Sequence, residues 1–189
     1  MKQPEKFENQ TYQDYVYWEG RWEIINGVPY QLPSGNSPVH QKIAMNIGVH
    51  ISAYAKINGY RAFFVPIDVR LSPENDETPK TVIQPDVMVI CDPVRLDNVG
   101  LKGAPDVVVE ILAPETALRD RGEKFNLYQA YGSAEYWIVD PAHQTVEVYS
   151  FNGGALEKRT VVGIEDILYS DFLKDFSIKV NDIFEDIMD

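Results

Sequence analysis

Two apolar runs decide the reading of this chain: Gln84-Pro85-Asp86-Val87-Met88-Val89-Ile90-Cys91 and Pro105-Asp106-Val107-Val108-Val109-Glu110-Ile111-Leu112. Both are short and rich in Val and Ile. That composition reads as a pair of central, well-buried β-strands. Each run carries an acid out of keeping with its apolar neighbours: Asp86 opens the first, and Glu110 lies near the end of the second. In an antiparallel register that sets Asp86 opposite Glu110, Cys91 falls opposite Pro105. Directly opposed side chains have Cβ atoms about 4.5–5.5 Å apart. Two carboxylates so close in a buried sheet repel each other unless a cation lies between them. A hard divalent ion with oxygen ligands meets that need, and Mg2+ typically uses one or two carboxylates and several waters. The plainer reading makes Asp86 a turn or capping residue after proline and sends Glu110 to solvent.

Working outward, Asn26-Gly27 separates two alternating runs, 21–25 and 28–32, and predicts a hairpin whose turn residues both take positive φ. Pro29 makes its second strand an edge or an irregular one. A short amphipathic helix is expected around residues 12–18. Ser37-Pro38 predicts a helix start, with Ser as N-cap and Pro at the first helical position. Val39, Ile43, Ile47, Ile51 and Tyr54 recur at helical spacing, and Asn58-Gly59 closes the helix. Extended runs follow at 61–65 and 67–71, then a polar stretch, 72–80, that reads as a mobile loop. Asp120-Arg121-Gly122-Glu123 has the form of a capping box and predicts a helix start at Asp120, with Tyr131-Gly132 as its end. Strands are expected over 135–139, 145–151 and 155–162, a short strand or coil over 176–180, and a terminal helical turn. The order of elements predicts a mixed α/β (α+β) domain on one sheet, with residues 1–189 as a single domain.

Composition narrows the function. The 189 residues are 44% apolar and 24% charged, an ordinary globular balance. No stretch approaches the roughly 18 apolar residues of a membrane helix, and the first ten residues hold no apolar signal region. A cytoplasmic location without membrane partners is the default expectation. One cysteine, Cys91, excludes a disulfide framework and a cysteine-rich zinc site. The net charge of −12 argues against a broad electrostatic grip on nucleic acid. A local site is still compatible with it, because exposed charges are screened beyond about 8 Å.

Three further residues join the carboxylate pair. Lys124 falls in the first turn of the helix expected from Asp120, where the dipole opposes a cation by about 0.3–1 kcal/mol. A nearby carboxylate or phosphate would offset that; a solvated surface lysine is the other reading. Glu23 shares a strand face with Ile25 and points inward on that pattern. His40 lies in the first turn of its helix, where a neutral imidazole either ligates metal or hydrogen-bonds. Asp120 reads as a helix cap only.

Six runs then carry a resemblance: Glu23-Ile24-Ile25-Asn26-Gly27, Ser37-Pro38-Val39-His40, Gln84-Pro85-Asp86-Val87, Val109-Glu110-Ile111-Leu112-Ala113-Pro114, Asp120-Arg121-Gly122-Glu123-Lys124 and Glu135-Tyr136-Trp137-Ile138-Val139-Asp140-Pro141. Over about residues 12–151 the chain resembles the putative restriction endonuclease family of the PD-(D/E)XK nuclease superfamily, a multi-copy bacterial family. The resemblance implies a restriction-endonuclease-like central mixed β-sheet flanked by helices, with an N-terminal β-hairpin. It implies that Asp86 and Glu110 are the motif acids. The motif lysine is expected two positions after Glu110, where this chain has Leu112; the resemblance implies that Lys124 takes its place from the following helix. Glu23 and His40 correspond to the family's extra acidic residue and helix histidine, as further metal ligands.

The function expected from this is endonucleolytic hydrolysis of DNA phosphodiester bonds, leaving a 5′-phosphate. Mg2+ or Mn2+ would sit on Asp86 and Glu110, Lys124 would act on the attacking water, and Arg119 and Arg121 would contact phosphate. The alternative is a catalytically degenerate nuclease fold serving as an interaction module, with a homodimer as one form.

Overall fold

The computed structural model describes residues 8–33, 35, 37–64, 66–73 and 78–187. In chain order it contains α1 (Tyr12–Tyr15), β1 (Trp22–Ile25), β2 (Val28–Gln31), α2 (Pro38–Asn58), β3 (Arg61–Phe63), β4 (Val69–Leu71), β5 (Thr81–Ile83) and β6 (Val87–Ile90). Next come β7 (Leu96–Asp97), β8 (Gly100–Lys102), β9 (Val107–Ile111), α3 (Ala117–Arg119), a π turn (Asp120–Lys124) and α4 (Phe125–Ala130). β10 (Glu135–Asp140), β11 (Thr145–Asn152), β12 (Ala155–Val162), β13 (Ile167–Tyr169), β14 (Ser177–Lys179) and α5 (Val180–Ile183) complete it. The chain divides into two compact units, the first made of residues 1–36, 67–84 and 94–104 and the second of the remainder.

The first unit is a six-stranded sheet in the order β2-β1-β5-β4-β8-β7. Its hairpin turns at Asn26 (φ 51°) and Gly27 (φ 82°), with Ile25 paired to Val28. Positive φ at both turn residues matches the right-handed twist of the strands. β2, which holds Pro29, is an edge strand, where a missing N–H leaves no gap in the ladder. Gly100 is required by close approach: a Cβ there would lie 2.1 Å from the Asp68 carbonyl oxygen.

The second unit is built on a mixed sheet in the order β12-β11-β10-β9-β6-β3, with β9 and β10 parallel and the other neighbours antiparallel. One face carries Val87, Val89, Val107, Val109 and Trp137, packed in one core with Ile43, Ile47 and Ile51 of α2. Ser37 Oγ accepts from His40 N at 3.2 Å, Pro38 opens α2, and Gly59 ends it at φ 76°. The opposite face meets the helical segment 117–130: Phe125 lies 4.9 Å from Tyr149 and Tyr128 4.9 Å from Tyr136, ring centre to ring centre.

Three expectations need correction. Among the described residues, two six-stranded sheets and a small β13-β14 sheet stand in place of one sheet. The strands absent from the sequence expectation, β5, β7, β8 and β13, have two or three residues each and are too short to show alternation. The helix after β9 begins at Ala117, so Asp120 (φ −63°, ψ −42°) lies within the helical segment and is not its N-cap. The Asp-x-x-Glu spacing of a capping box also occurs inside a helix. The helix expected over 12–18 is the single turn α1. The loop expected at 72–80 falls partly on residues 74–77, outside the described residues.

Candidate active site

The expected register of the two central strands is the observed one. Val87 pairs with Val109 and Met88 with Val108, which sets Asp86 level with Glu110 one step beyond the ladder. Aspartates close both ends of that ladder. Asp106 Oδ2 accepts from Cys91 N at 2.8 Å, so the pairing of Cys91 with Pro105 gives way to a side-chain bond. At the other end Asp86 Oδ2 accepts from Ile111 N at 2.8 Å, satisfying a strand amide that has run out of partner backbone. The plain capping role of Asp86 is therefore real.

Asp86 does more than cap. The same Oδ2 lies 3.0 Å from His40 Nε2, and both side chains are mostly buried. α2 brings the histidine there, because the Ser37 cap and Pro38 fix the first turn. With the carboxylate as acceptor, Nε2 is the donor of this bond. Nδ1 is buried and makes no hydrogen bond among the described residues.

Glu110 is held from the other side of the sheet. Its Oε1 accepts from Lys124 Nζ at 3.0 Å and from Tyr128 OH at 2.8 Å. Lys124 Nζ also lies 3.5 Å from Asp120 Oδ1. Lys124 is 3% exposed and Asp120 1%, so the lysine is neither a first-turn nor a surface residue. It sits at the end of the π turn, whose backbone is tied to β10 through Tyr136 OH donating to Asp120 O at 3.0 Å. Such turns are frequent at functional sites. Sequence reasoning passed over Asp120 and Tyr128 as site residues; their spacing of four on either side of Lys124 was the available signal.

Three further expected residues have their own partners and surroundings. Glu23 is fully buried on β1 of the first unit, where its Oε1 accepts from Gln84 N at 2.9 Å. Arg119 is half-buried at the end of α3. Arg121 is bound to Glu147 and lies 3.6 Å from Asp140, so its guanidinium is engaged by two carboxylates. Burial pushes the Glu147 carboxyl up, but hydrogen bonds from Arg121, Arg159 and Tyr149 outweigh it and hold it down to about 2. Glu147 therefore titrates below its unfolded value, near 4.3. Its stabilisation is complete above about pH 5 and is lost as pH falls towards 2. Glu147→Gln is expected to flatten the acid limb of a melting-temperature profile over that window; an unchanged limb would assign acid sensitivity to other carboxylates.

Among the described residues, no three His, Cys, Asp or Glu side chains are gathered as a ready metal-ligand group. The donors at hand are two carboxylates, hard oxygens of the kind a Mg2+ or Mn2+ ion takes in ones or twos with water completing its shell. His40 meets this pair through Nε2, on Asp86, with its Nδ1 on the far side of the ring. This donor set fits a divalent ion held by few protein ligands.

A mixed sheet flanked by helices, carrying acids at the end of its central strands, defines a restriction-endonuclease-like α/β protein. The chain belongs to the Uma2 family, described as "Putative restriction endonuclease", whose profile matches residues 8–181. It is 27% identical over 145 residues to the uncharacterized protein slr1290 of Synechocystis sp., covering 74% of this chain and 73% of that protein. Its fold is similar to the crystal structure of a putative nuclease belonging to DUF820 from Anabaena variabilis. That match has a TM-score of 0.75 and 19% identity, and covers 95% of this chain and 99% of the other. No helix among the described residues is long and apolar enough to cross a membrane.

Proposed function

We propose that this chain is a metal-dependent endonuclease that hydrolyses DNA phosphodiester bonds, with Asp86, Glu110 and Lys124 at its centre. The observation that carries the reading is the buried Lys124–Glu110 pair at 3.0 Å, beside an acid set level across the central strands. A buried ion pair is costly to build and contributes little net stability, so a chemical task is a reason for it to exist. Asp86 and Glu110 would hold Mg2+ or Mn2+, and His40, whose Nε2 is turned to Asp86, would orient that ligand from behind. When bound, the ion polarises a phosphate oxygen and lowers the pKa of a water. His40 and Ile111 N hold Asp86 in place, and Tyr128 orients Glu110. Lys124 places a positive charge where the phosphorane-like transition state gains negative charge, and orients the attacking water.

The net charge of −12 supports a second reading, in which the fold serves as a non-enzymatic interaction module, as a monomer or a homodimer. One assay separates the two. Supercoiled, linear and single-stranded DNA are incubated with the protein and Mg2+ or Mn2+, with Glu110→Gln in parallel. Metal-dependent cleavage by the wild type and none by the variant is expected. Intact DNA in every wild-type reaction would leave the interaction module as the standing reading.

A further inference from the structure

We propose that Asp120 is a positioning residue for Lys124: it is the second carboxylate that takes over the ammonium when Glu110 engages a divalent cation. The inference rests on the metal-dependent reading above. A buried cation needs a partner at every stage, because an unpaired charge in a low-dielectric interior is prohibitive. In the structure Lys124 Nζ has two carboxylates, Glu110 at 3.0 Å and Asp120 at 3.5 Å, and leans towards the first. Glu110 Oε1 already accepts from both Nζ and Tyr128 OH. A divalent ion on Glu110 competes with the ammonium for one carboxylate and repels it. With Asp120 in place the ammonium shifts its hold by a fraction of an ångström and stays paired. Without Asp120 the ammonium loses one of these two carboxylates and holds Glu110 more strongly against the ion. Asp120 is suited to this because it is fixed: its residue is 1% exposed, its backbone lies in the π turn, and its carbonyl is bonded to Tyr136. It serves the lysine while leaving Glu110 to the cation.

Calorimetric titration of the full chain with Mn2+ tests this through a double-mutant cycle of Asp120→Asn and Lys124→Met. Asp120→Asn is expected to weaken Mn2+ binding about tenfold, within the range that contacting pairs show in such cycles. Lys124→Met is expected to bind Mn2+ more tightly than wild type, because the competing charge has gone. In the Lys124→Met background, adding Asp120→Asn is expected to change affinity less than about twofold. Asp120→Glu, which keeps the charge, is expected to stay near wild type. An Asp120→Asn effect of equal size in both backgrounds would show a structural or general electrostatic role and overturn the inference. If circular dichroism shows Asp120→Asn unfolded, Lys124→Met still decides: binding no tighter than wild type overturns it. Wild-type Mn2+ binding that Glu110→Gln leaves unchanged would instead sink the metal site itself, and this inference with it.

Discussion

Replacing Lys124 with alanine is expected to lower turnover by about 10²–10³ and, unusually for a catalytic lysine, to destabilise the fold by about 3–5 kcal/mol. The first figure is the usual loss for one preorganised electrostatic group. The second follows from burial. An exposed first-turn lysine, as the sequence pattern suggests, would contribute almost nothing to stability and would oppose the helix dipole. The observed lysine is 3% exposed and is paired with both Glu110 and Asp120. Its removal leaves two buried carboxylates facing one another across the vacated volume. Urea unfolding and a cleavage time course measure the two effects separately. Lys124→Arg is expected to recover only part of the rate, since a planar fork does not replace a point charge on a water molecule. A Lys124→Ala protein as stable as wild type would contradict the buried triad, and one that cleaves as fast would reduce the site to the strand carboxylates.

On the proposed metal site, Mn2+ at 100 times its dissociation constant is expected to stabilise the wild type by about 2.7 kcal/mol, and Asp86→Ala is expected to abolish that gain. Repulsion between opposed carboxylates would suggest that the variant gains stability without metal. The structure reverses that sign. Asp86 Oδ2 satisfies Ile111 N and His40 Nε2, and its loss strands a backbone donor at the end of the central ladder. A cost of about 1–3 kcal/mol is expected in the metal-free protein. Thermal melts of both proteins with chelator and with saturating Mn2+ measure the two effects together. Equal metal shifts in wild type and variant would remove Asp86 from the ion's ligands.

Much of the fold was legible because its strongest signals are local. Asn26-Gly27, Ser37-Pro38 and Gly59 each state a backbone conformation in one or two residues, and all three are realised. The register of β6 on β9 was legible for another reason: a buried acid in each run left one alignment that made chemical sense of both. What stayed hidden is non-local. β5, β7 and β8 have two or three residues each and owe their existence to neighbours that no short window contains. The burial of Lys124 depends on Glu110, fourteen positions earlier, and on the sheet beneath it. Asp120 was misread because its local pattern is a good cap and its actual environment is a helix interior. The site was therefore legible in its residue types and illegible in its depth.

The interleaving of the two units along the chain bears on how the protein is made. The chain passes from one unit to the other after residues 36, 66, 84, 93 and 104. Neither unit is a contiguous stretch that a ribosome could deliver whole. The β1-β2 hairpin can close as soon as it emerges, but β5, the next strand of its sheet, arrives some fifty residues later. β6 can pair with β3 as it emerges, but its other edge waits for β9, which follows β7 and β8. Pairings of that separation form slowly, and unpaired apolar strands are prone to associate with other chains meanwhile. The Val- and Ile-rich run that opens with Asp86 thus carries one open strand edge on the nascent polypeptide until translation has passed Ile111.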